Sequence, residues 1–321
     1  MEKKITVLVN ASFEKDDTLF TWLKRYGQHS DDDFIYWNEF AFTTGRLPEY
    51  DAVLILNHPS KKIQTGSDPG KLIAFMMEPG DTALHPWMHN NLNQYTFVYS
   101  PIANTANTIL SHGYLGWQLQ ENYGLLSELQ PPQKTNSISC IASNLAVLKG
   151  HQLRLNFIEA LKKELPEVDL FGRGHNFIAD KKEGLQSYRY SIAMENTAAP
   201  YYFTEKINDC FLMYTVPIYY GCKNIGAFFP EKSFIQVDIN NTAAAVKTIR
   251  AAIEKNDWSE RIGAITEARQ LVLDKYQPLA GVASILRTLP SSPKKMILLD
   301  RPHEKTLRQI KNFILGIGGK K

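Results

Sequence analysis

The chain has 321 residues, 44% of them hydrophobic and 21% charged, which is typical of a folded globular protein and not of a disordered one. Its formal net charge of +3 excludes a surface that is basic throughout, so we expect no nucleic-acid partner. The three cysteines (Cys140, Cys210 and Cys222) form no Cys-x-x-Cys pair, and their odd number argues against a disulfide framework. Because there is neither a signal-peptide pattern nor an apolar run of membrane-spanning length, we expect a cytoplasmic protein.

Short apolar runs predict the strands of a first domain over residues 1–130. The runs lie at 5–10, 50–57, 70–80 and 95–100, and a helical stretch follows the first of them. Strands that alternate with helices favour a parallel sheet. We therefore predict that the first domain is Rossmann-like.

A second domain is predicted over residues 136–290, because the same alternation restarts after the Pro-containing break at 129–137. Its expected strands lie at 138–144, 168–172, 190–196, 216–221 and 234–238, and a long helix is expected at 150–165. The predicted fold class is therefore α/β, with two Rossmann-like domains and a cleft between them.

The C-terminal segment 291–321 has a different composition, with eight basic residues and two acidic ones. An apolar stripe from Leu307 to Ile317 predicts an amphipathic helix there. Such a helix either lies on an anionic membrane surface, as a peripheral contact, or packs on the body of the protein with a solvated basic face. The sequence leaves both interpretations open.

Polar residues follow two predicted strands of the second domain, at the edge where open parallel sheets bind ligands. Ser143 and Asn144 end one of these strands, and Glu195 and Asn196 end another. We expect all four near a ligand. For Glu195 a structural hydrogen bond to a neighbouring loop is the alternative, since a buried carboxylate needs a partner.

The helix that follows is predicted to begin at Thr204, an N-cap residue, with Glu205 and Lys206 in its first turn. Lys206 there opposes the helix dipole, and Arg154, early in the 150–165 helix, does the same. A bound diphosphate would remove both conflicts, by accepting bonds from the free N–H groups and pairing with the two cations. The alternative is that both side chains are exposed and harmless.

Two carboxylates are further candidates. Glu205 either forms a solvated pair with Lys206 or accepts hydrogen bonds from the hydroxyls of a ribose. Glu78 ends the third strand of the first domain, facing the predicted cleft, where a carboxylate can act as a general base.

No metal site is expected. His85 and His89 are four residues apart, but no third ligand is evident near them. The Asp-rich run at 31–33 lacks the strand-end context of a metal–nucleotide motif.

The stretch YRYSIAMENTAAPYYFTEKINDCFLMYTVPIYYGCKNIGAFFPEKSFIQVD (188–238) resembles the signature of glycosyltransferase family 10, the α-1,3/4-fucosyltransferases. The family pattern runs Phe-Glu-Asn-Ser, a short spacer, Tyr-x-Thr-Glu-Lys, a helix, Val-Pro-x-x-x-Gly and Ser-Phe-Ile-x-Val. This chain departs from the first element, where Met194 and Thr197 replace Phe and Ser.

The resemblance implies a GT-B-type fold, with the acceptor domain first and the nucleotide-sugar domain second. It implies a donor, GDP-fucose, and no metal or other cofactor. It also implies roles for six residues: Lys206 and Arg154 at the diphosphate, Glu205 at the ribose, Tyr202 on the guanine, Asn196 at the sugar and Glu78 as the base.

The expected function is that of an inverting, metal-independent glycosyltransferase that moves L-fucose from GDP-fucose to a hydroxyl of a glycan. The expected context is bacterial surface polysaccharide or lipopolysaccharide synthesis, at the inner face of the inner membrane. Two alternatives stay open: a related transferase that uses another nucleotide sugar, and a non-catalytic module that binds a glycan or a nucleotide.

Overall fold

The computed structural model describes residues 4–13, 15–79, 90–146 and 149–302. These residues divide by their contacts into two units. The first unit takes the described parts of Met1–Leu23, Ser30–Ser111 and Ile285–Lys321, and the second takes Lys24–His29 and His112–Ser284. Residues 112–130, which the sequence-based division puts in the first domain, thus group with the second unit.

An eight-stranded sheet forms the centre of the first unit. The elements in chain order are β1 Ile5–Ala11, α1 Asp16–Lys24, β2 His29–Ser30, β3 Ile35–Trp37, β4 Phe40–Thr43, β5 Ala52–Leu56, β6 Ile63–Ser67, β7 Leu72–Phe75, β8 Phe97–Ser100 and β9 Thr108–Leu110. The strand order in the sheet is β2-β3-β4-β1-β5-β7-β8-β9. From β4 to β9 every neighbouring pair is parallel, and β3 pairs antiparallel with β4.

The central strands of this sheet are apolar along their whole length. In β5, whose sequence is AVLIL, every residue is buried. Strands that are covered on both faces read as continuous apolar runs, which is why the sequence reveals them. The predicted run at 70–80 is a strand only as far as Phe75.

A separate two-stranded antiparallel sheet pairs β6 with β15, at Lys295–Leu299. Ile297 and Leu299 of β15 are buried, whereas Met296 and Leu298 are exposed. The start of the basic segment 291–321 is therefore a strand. The predicted apolar stripe from Leu307 onward lies outside the described residues.

The second unit contains a five-stranded, entirely parallel sheet. The elements of this unit are α2 Tyr123–Glu128, β10 Asn136–Ile141, α3 Lys149–Glu164, β11 Asp169–Phe171, β12 Tyr188–Met194, α4 Glu205–Leu212, β13 Val216–Tyr220, β14 Ile235–Gln236, α5 Thr242–Lys255, α6 Trp258–Asp274 and α7 Pro278–Thr288. The strand order in the sheet is β11-β10-β12-β13-β14. The last helix, α7, runs on into the first unit.

The strand order of this sheet reverses between β10 and β12. After β10 the chain passes through α3 to β11 on one side, and then returns to β12 on the other side of β10. Helix connections that leave in opposite directions open a crevice at the carboxyl ends of the strands. The polar residues after β10 and β12 are therefore placed where such a fold binds ligands.

The amphipathic helix predicted after residue 204 is present as α4. Thr204 is its N-cap and accepts a hydrogen bond from the Lys206 backbone N–H. The predicted apolar face is buried, with Ile207, Cys210 and Phe211 each at most 2% exposed. None of the helices within the described ranges is both long and apolar enough to cross a membrane.

Candidate functional site

A cavity of about 390 Å³ lies in the second unit, beside the reversal of strand order. It is lined by Gln118, Gln120, Ile141, Ala142, Ser143, Arg154, Gly172, Arg173, Ile178, Ala179, Asp180, Lys181, Glu205 and Lys206. Four cations and two carboxylates thus line the cavity, which makes its wall positive. Four of the residues predicted from the sequence are among them: Ser143, Arg154, Glu205 and Lys206.

One wall of the cavity is formed by the loops after β10 and β11, which stay paired beyond the strands. The backbone N–H of Ala142 donates to the carbonyl of Phe171, and that of Asn144 to Arg173, both at 2.9 Å. Gly172 has a φ of +114°, and a Cβ at this position would lie 2.1 Å from the Ala142 carbonyl oxygen. Only glycine therefore permits this close approach. Asn144 is exposed and does not line the cavity.

The first turn of α4 is tied to the end of β12 through Glu195, whose side chain is fully buried. One carboxylate oxygen accepts from the Thr204 backbone N–H at 2.9 Å, and the other from the Thr204 hydroxyl at 2.8 Å. The Lys206 ammonium lies 3.1 Å from Glu195 Oε2. Glu195 thus makes the structural hydrogen bonds to a neighbouring segment that were considered as the alternative, and it does not line the cavity.

Lys206 is not a lone cation against the helix dipole, because carboxylates surround it. Besides Glu195, its ammonium contacts Glu205 Oε1 at 3.3 Å and donates to the Thr204 hydroxyl at 2.9 Å. Burial lowers the pKa of the Lys206 ammonium, but Glu195 and Glu205 outweigh this effect and leave the pKa above its ordinary value. The sequence indicates the cation, but it does not indicate the carboxylates that offset its charge.

Lys181 and its partner Asp209 are site residues that the sequence analysis did not identify. The Lys181 ammonium lies 3.0 Å from Asp209 Oδ2 and 3.5 Å from Glu205 Oε1. Burial raises the pKa of Glu205, but Lys206 and Lys181 together lower it to about 2. Lys181 follows a polar loop without any periodic pattern, so no sequence signal marks it.

Arg154, the second predicted cation, forms no ion pair with any residue that the structure describes. It is 6% exposed, it lines the cavity, and its Nε makes no hydrogen bond within the part of the chain that the structure describes. Burial lowers the pKa of the guanidinium, while Glu195 and Glu205 act in the opposite direction. These carboxylates offset part of its charge without accepting its N–H groups.

The placement of Arg154 corrects one part of the expectation. Helix α3 begins at Lys149, so Arg154 lies in its second turn, beyond the reach of the terminal dipole. The start of α3 is pressed against the loop after β12, because a Cβ on Gly150 would lie 1.7 Å from the Asn196 carbonyl oxygen. This contact fixes where α3 presents Arg154.

Asn196 and Tyr202 lie outside the wall of the cavity. Asn196 is half-buried, and its Oδ1 has no hydrogen-bond partner within the described residues. Tyr202 is 7% exposed and packs in the interior of the second unit. Their predicted contacts with a sugar and a guanine stay predictions.

An aromatic cluster packs next to the N-terminus of α4. The ring of His112 stacks on Phe203, the residue before the N-cap, at 4.7 Å between centroids, and Phe228 and Tyr276 pack against both rings. Burial lowers the pKa of His112 to about 3, so this ring is neutral at physiological pH. The charged first turn of α4 therefore packs next to an apolar cluster of rings.

Glu78, the predicted base, lies in the first unit and is exposed. The segment before it is anchored, since the Met77 backbone N–H donates to Asn57 Oδ1 at 2.7 Å and that of Met76 donates to the Tyr99 carbonyl at 2.8 Å. Residues 80–89, which contain His85 and His89, are outside the described ranges. Across those ranges, no three His, Cys, Asp or Glu side chains are grouped as a metal site requires.

Comparison with protein families gives a match over the second unit. Residues 131–259 match the family described as "Glycosyltransferase family 10 (fucosyltransferase) C-term". The matched segment contains Arg154, Lys181, Glu195, Glu205 and Lys206.

Two relatives match in sequence over a similar share of the chain. A putative fucosyltransferase-like protein of Arabidopsis thaliana is 31% identical over 147 residues, which is 43% of this chain and 28% of the relative. An alpha-(1,3)-fucosyltransferase of Helicobacter pylori is 37% identical over 131 residues, 39% of this chain and 26% of the relative. The matches therefore span little more than a quarter of the length of these relatives.

A solved structure matches over most of the chain. The crystal structure of an alpha1,3-fucosyltransferase with GDP-fucose superposes with a TM-score of 0.50 at 18% identity, covering 86% of this chain and 93% of the other. This likeness concerns the fold. It confirms the predicted GT-B class, whose two α/β units each contain a mainly parallel sheet.

Proposed function

Because residues 131–259 match glycosyltransferase family 10, we propose that the protein is a glycosyltransferase that moves L-fucose from GDP-fucose to a hydroxyl of a glycan. The family match supports the reaction class. The donor is supported by the names of the relatives, which are fucosyltransferases, and by the similar structure that contains GDP-fucose.

The observation that carries the proposal is the environment of Arg154. A guanidinium with five N–H donors is 94% buried against a positive cavity, and its Nε has no hydrogen-bond partner within the described residues. A buried charge without partners is costly in the folded state. A diphosphate would supply acceptors that the described residues do not, since phosphate oxygens match the planar fork of arginine. Arg154 is therefore assigned to the diphosphate of the donor.

Lys206 and Lys181 are assigned to the same anion, in a different way. Both are already paired with carboxylates, so they hold positive charge at a fixed place and need little rearrangement when a ligand binds. As the bond to the sugar breaks, negative charge grows on the departing GDP, and these fixed cations stabilise it. We propose that they do so in place of a metal ion.

Roles for the remaining predicted residues belong to the same proposal. Glu205 is held ionised by its lysine neighbours and would accept the ribose hydroxyls. Asn196 would contact the sugar, Tyr202 would pack near the guanine, and Ser143 with Asn144 would border the donor through the loop after β10.

Glu78 is proposed as the general base. The carboxylate would take the proton from the acceptor hydroxyl as that oxygen attacks the anomeric carbon and GDP departs, with inversion at that carbon. The support is its position beyond the carboxyl end of β7 on an anchored segment and its resemblance to a Glu-containing segment of the family.

The acceptor is proposed to be a glycan of a bacterial surface polysaccharide or lipopolysaccharide, modified at the inner face of the membrane. The basic composition of residues 291–321 supports a peripheral contact with anionic lipid. Co-sedimentation with vesicles of anionic and of neutral lipid tests it, because only anionic vesicles should retain the protein.

The test of the donor is calorimetric titration of GDP, GDP-L-fucose, UDP-sugars and ADP-sugars in EDTA. We expect GDP and GDP-L-fucose to bind without metal and the other nucleotides to bind more weakly. Preference for another nucleotide would reject the fucosyl assignment while keeping the reaction class. The absence of any nucleotide binding would favour a non-catalytic module.

The test of the reaction uses GDP-L-fucose with galactosyl-N-acetylglucosamine disaccharides. Glu78→Gln should remove transfer while leaving GDP affinity unchanged, since the base does not contribute to donor binding. The matched control is Glu128→Gln, an exposed carboxylate of the second unit, which should transfer like the wild type. Retention of the donor's anomeric configuration in the product would rule out the inverting mechanism.

A further inference from the structure

A second cavity, of about 290 Å³, lies entirely within the first unit. It opens beyond the carboxyl ends of β1 and β4, beside the place where the strand order reverses between β1 and β5. Parallel sheets bind ligands at such positions. The cavity is close to the lower end of the volumes of small-molecule sites, which run from about 300 to 1,000 Å³.

The cavity has an apolar floor and an ordered polar wall. Asn10 Oδ1 accepts from the Ser60 backbone N–H at 2.7 Å, and its Nδ2 donates to Asp16 Oδ1 at 3.1 Å. On the other side, the Tyr50 hydroxyl holds the loop after β4 by accepting from the Leu47 N–H at 2.7 Å. The wall is thus built from residues that fix one another.

The charges on this wall are unequal. Three cations, Arg46, Lys61 and Lys62, line the cavity together with one carboxylate, Asp16. The Lys61 ammonium forms an ion pair with Asp16 at 2.7 Å, whereas that of Lys62 lies 3.8 Å from Asp300. Arg46 is exposed and forms no ion pair within the described residues. The cavity therefore favours a ligand with a negative charge.

A buried hydroxyl is the second, independent indication of a ligand. Thr65 in β6 lines the cavity and is 8% exposed, yet its Oγ1 has no hydrogen-bond partner among the residues that the structure describes. A hydroxyl buried without a partner costs free energy. A ligand that carries hydroxyl groups satisfies it.

We propose that this cavity binds an acidic saccharide, with its carboxylate or phosphate at Arg46, a ring hydroxyl at Thr65 and its apolar ring face on the floor of Leu8 and Ile63. In the function proposed above, such a ligand is the charged part of the glycan acceptor, and only this role of the ligand rests on that function.

The test is a ligand-observed NMR titration of the full-length chain with two matched pairs of sugars. D-galacturonic acid is compared with D-galactose, and glucose 6-phosphate with glucose, so that each pair differs in one acidic group. We expect the acidic member of at least one pair to bind about 10-fold more tightly, because a charge-assisted hydrogen bond is lost in the neutral one. The pair that shows the preference identifies a carboxylate or a phosphate.

Two variants locate the binding. Arg46→Ala should remove the preference for the acidic sugar, whereas Arg250→Ala, an exposed arginine of α5, should keep it. Thr65→Val should weaken both members of a pair by about 5-fold, and it should not lower the unfolding temperature, because the hydroxyl that it removes has no partner within the described residues.

Competition with GDP distinguishes binding at this cavity from binding at the donor cavity. Saturating GDP should leave the binding of the acidic sugar unchanged. Equal affinity within both pairs, a preference that persists in Arg46→Ala, displacement by GDP, or no binding of any sugar would each overturn the proposal. GDP binding of the same preparation reports on the proposed function, so the two failures are distinguishable.

Discussion

The first turn of α4 and the second turn of α3 each place a buried cation at the same cavity, but only the cation of α4 is paired with carboxylates of the described residues. At α4, Lys206 is enclosed by Glu195 and Glu205, and Thr204 joins the network. At α3, Arg154 is equally close to the cavity but lacks a hydrogen-bond acceptor for its Nε within the described residues. The paired lysine can stabilise the folded state whether or not a ligand is bound. The described residues offer the Arg154 Nε no acceptor, so a bound ligand can supply one.

Lys206 and Arg154 contribute to the same site in two different ways. Removing a member of a satisfied buried network leaves an uncompensated charge behind, which destabilises the folded state. Removing a buried cation that lacks acceptors deletes a cost and also deletes a binding group. Loss of Lys206 should therefore lower the stability of the folded state, whereas loss of Arg154 should not, and loss of either residue should weaken the interaction with the donor.

The largest expected effect on stability is that of Lys206→Ala. Because Glu195 is fully buried, its carboxylate would lose its cation, and the free energy of unfolding should fall by about 3–5 kcal/mol. Transfer should also slow, by about 2–4 kcal/mol in the barrier, through loss of charge stabilisation. Urea denaturation measures the first effect, with the exposed Lys247→Ala of α5 as control. A stability equal to wild type would show that the network does not hold the turn.

Lowering the pH should gradually weaken the ion pairs of the first turn of α4. The pKa of Glu205 is lowered from 4.5 to about 2 in the folded protein, so its stabilising contribution is complete above pH 4.5 and is lost as the pH falls toward 2. The stability difference between wild type and Glu205→Gln should therefore shrink over this window, by on the order of 2 kcal/mol. Urea denaturation at successive pH values checks this. A constant difference from pH 7 to pH 3 would contradict it.

Arg154→Met should have the opposite sign to Lys206→Ala. The methionine fills a similar volume without a buried charge, so the free energy of unfolding should stay constant or rise by about 1 kcal/mol. Thermal and urea unfolding of the ligand-free protein measure it. A clear loss of stability would mean that the guanidinium has acceptors in the fold, and the contrast with Lys206 would disappear.

The smallest expected effect is that of Asn196→Ala. If its unpartnered Oδ1 accepts from the donor sugar, the variant should lose about 5-fold in affinity for GDP-fucose and keep its affinity for GDP. Parallel calorimetric titrations of the two ligands give the ratio. Equal losses for both would place Asn196 at the nucleotide and not at the sugar.

Much of the architecture could be predicted because buried parallel strands are continuous apolar runs. The predicted strands at 50–57 and 190–196 correspond to β5 and β12, and the predicted face of α4 is buried. Strand order and the pairing of β6 with β15 could not be predicted, since these strands are far apart in sequence and neither carries a signal that names its partner.

The sequence indicated four residues that line the cavity, but it did not indicate how their charges are paired. Position relative to the predicted strand and helix ends indicated Ser143, Arg154, Glu205 and Lys206, all of which line the cavity. The same reasoning missed Lys181, which reaches Asp209 across 28 residues of chain. It also treated Lys206 and Arg154 alike, because pairing with a buried carboxylate depends on tertiary contacts that helix position does not reveal.

The most direct test of the central claim is calorimetric titration of GDP, in EDTA, into wild type, Arg154→Lys and Arg269→Lys. Arg269 is a buried arginine of the same unit that lies outside the cavity, over the Tyr214 ring, so it controls for the loss of a buried guanidinium. A lysine keeps the charge but not the planar fork. We predict that Arg154→Lys weakens GDP binding about 10- to 100-fold while Arg269→Lys binds GDP like the wild type. Wild-type GDP affinity in a folded Arg154→Lys protein would contradict the assignment of Arg154 to the donor diphosphate.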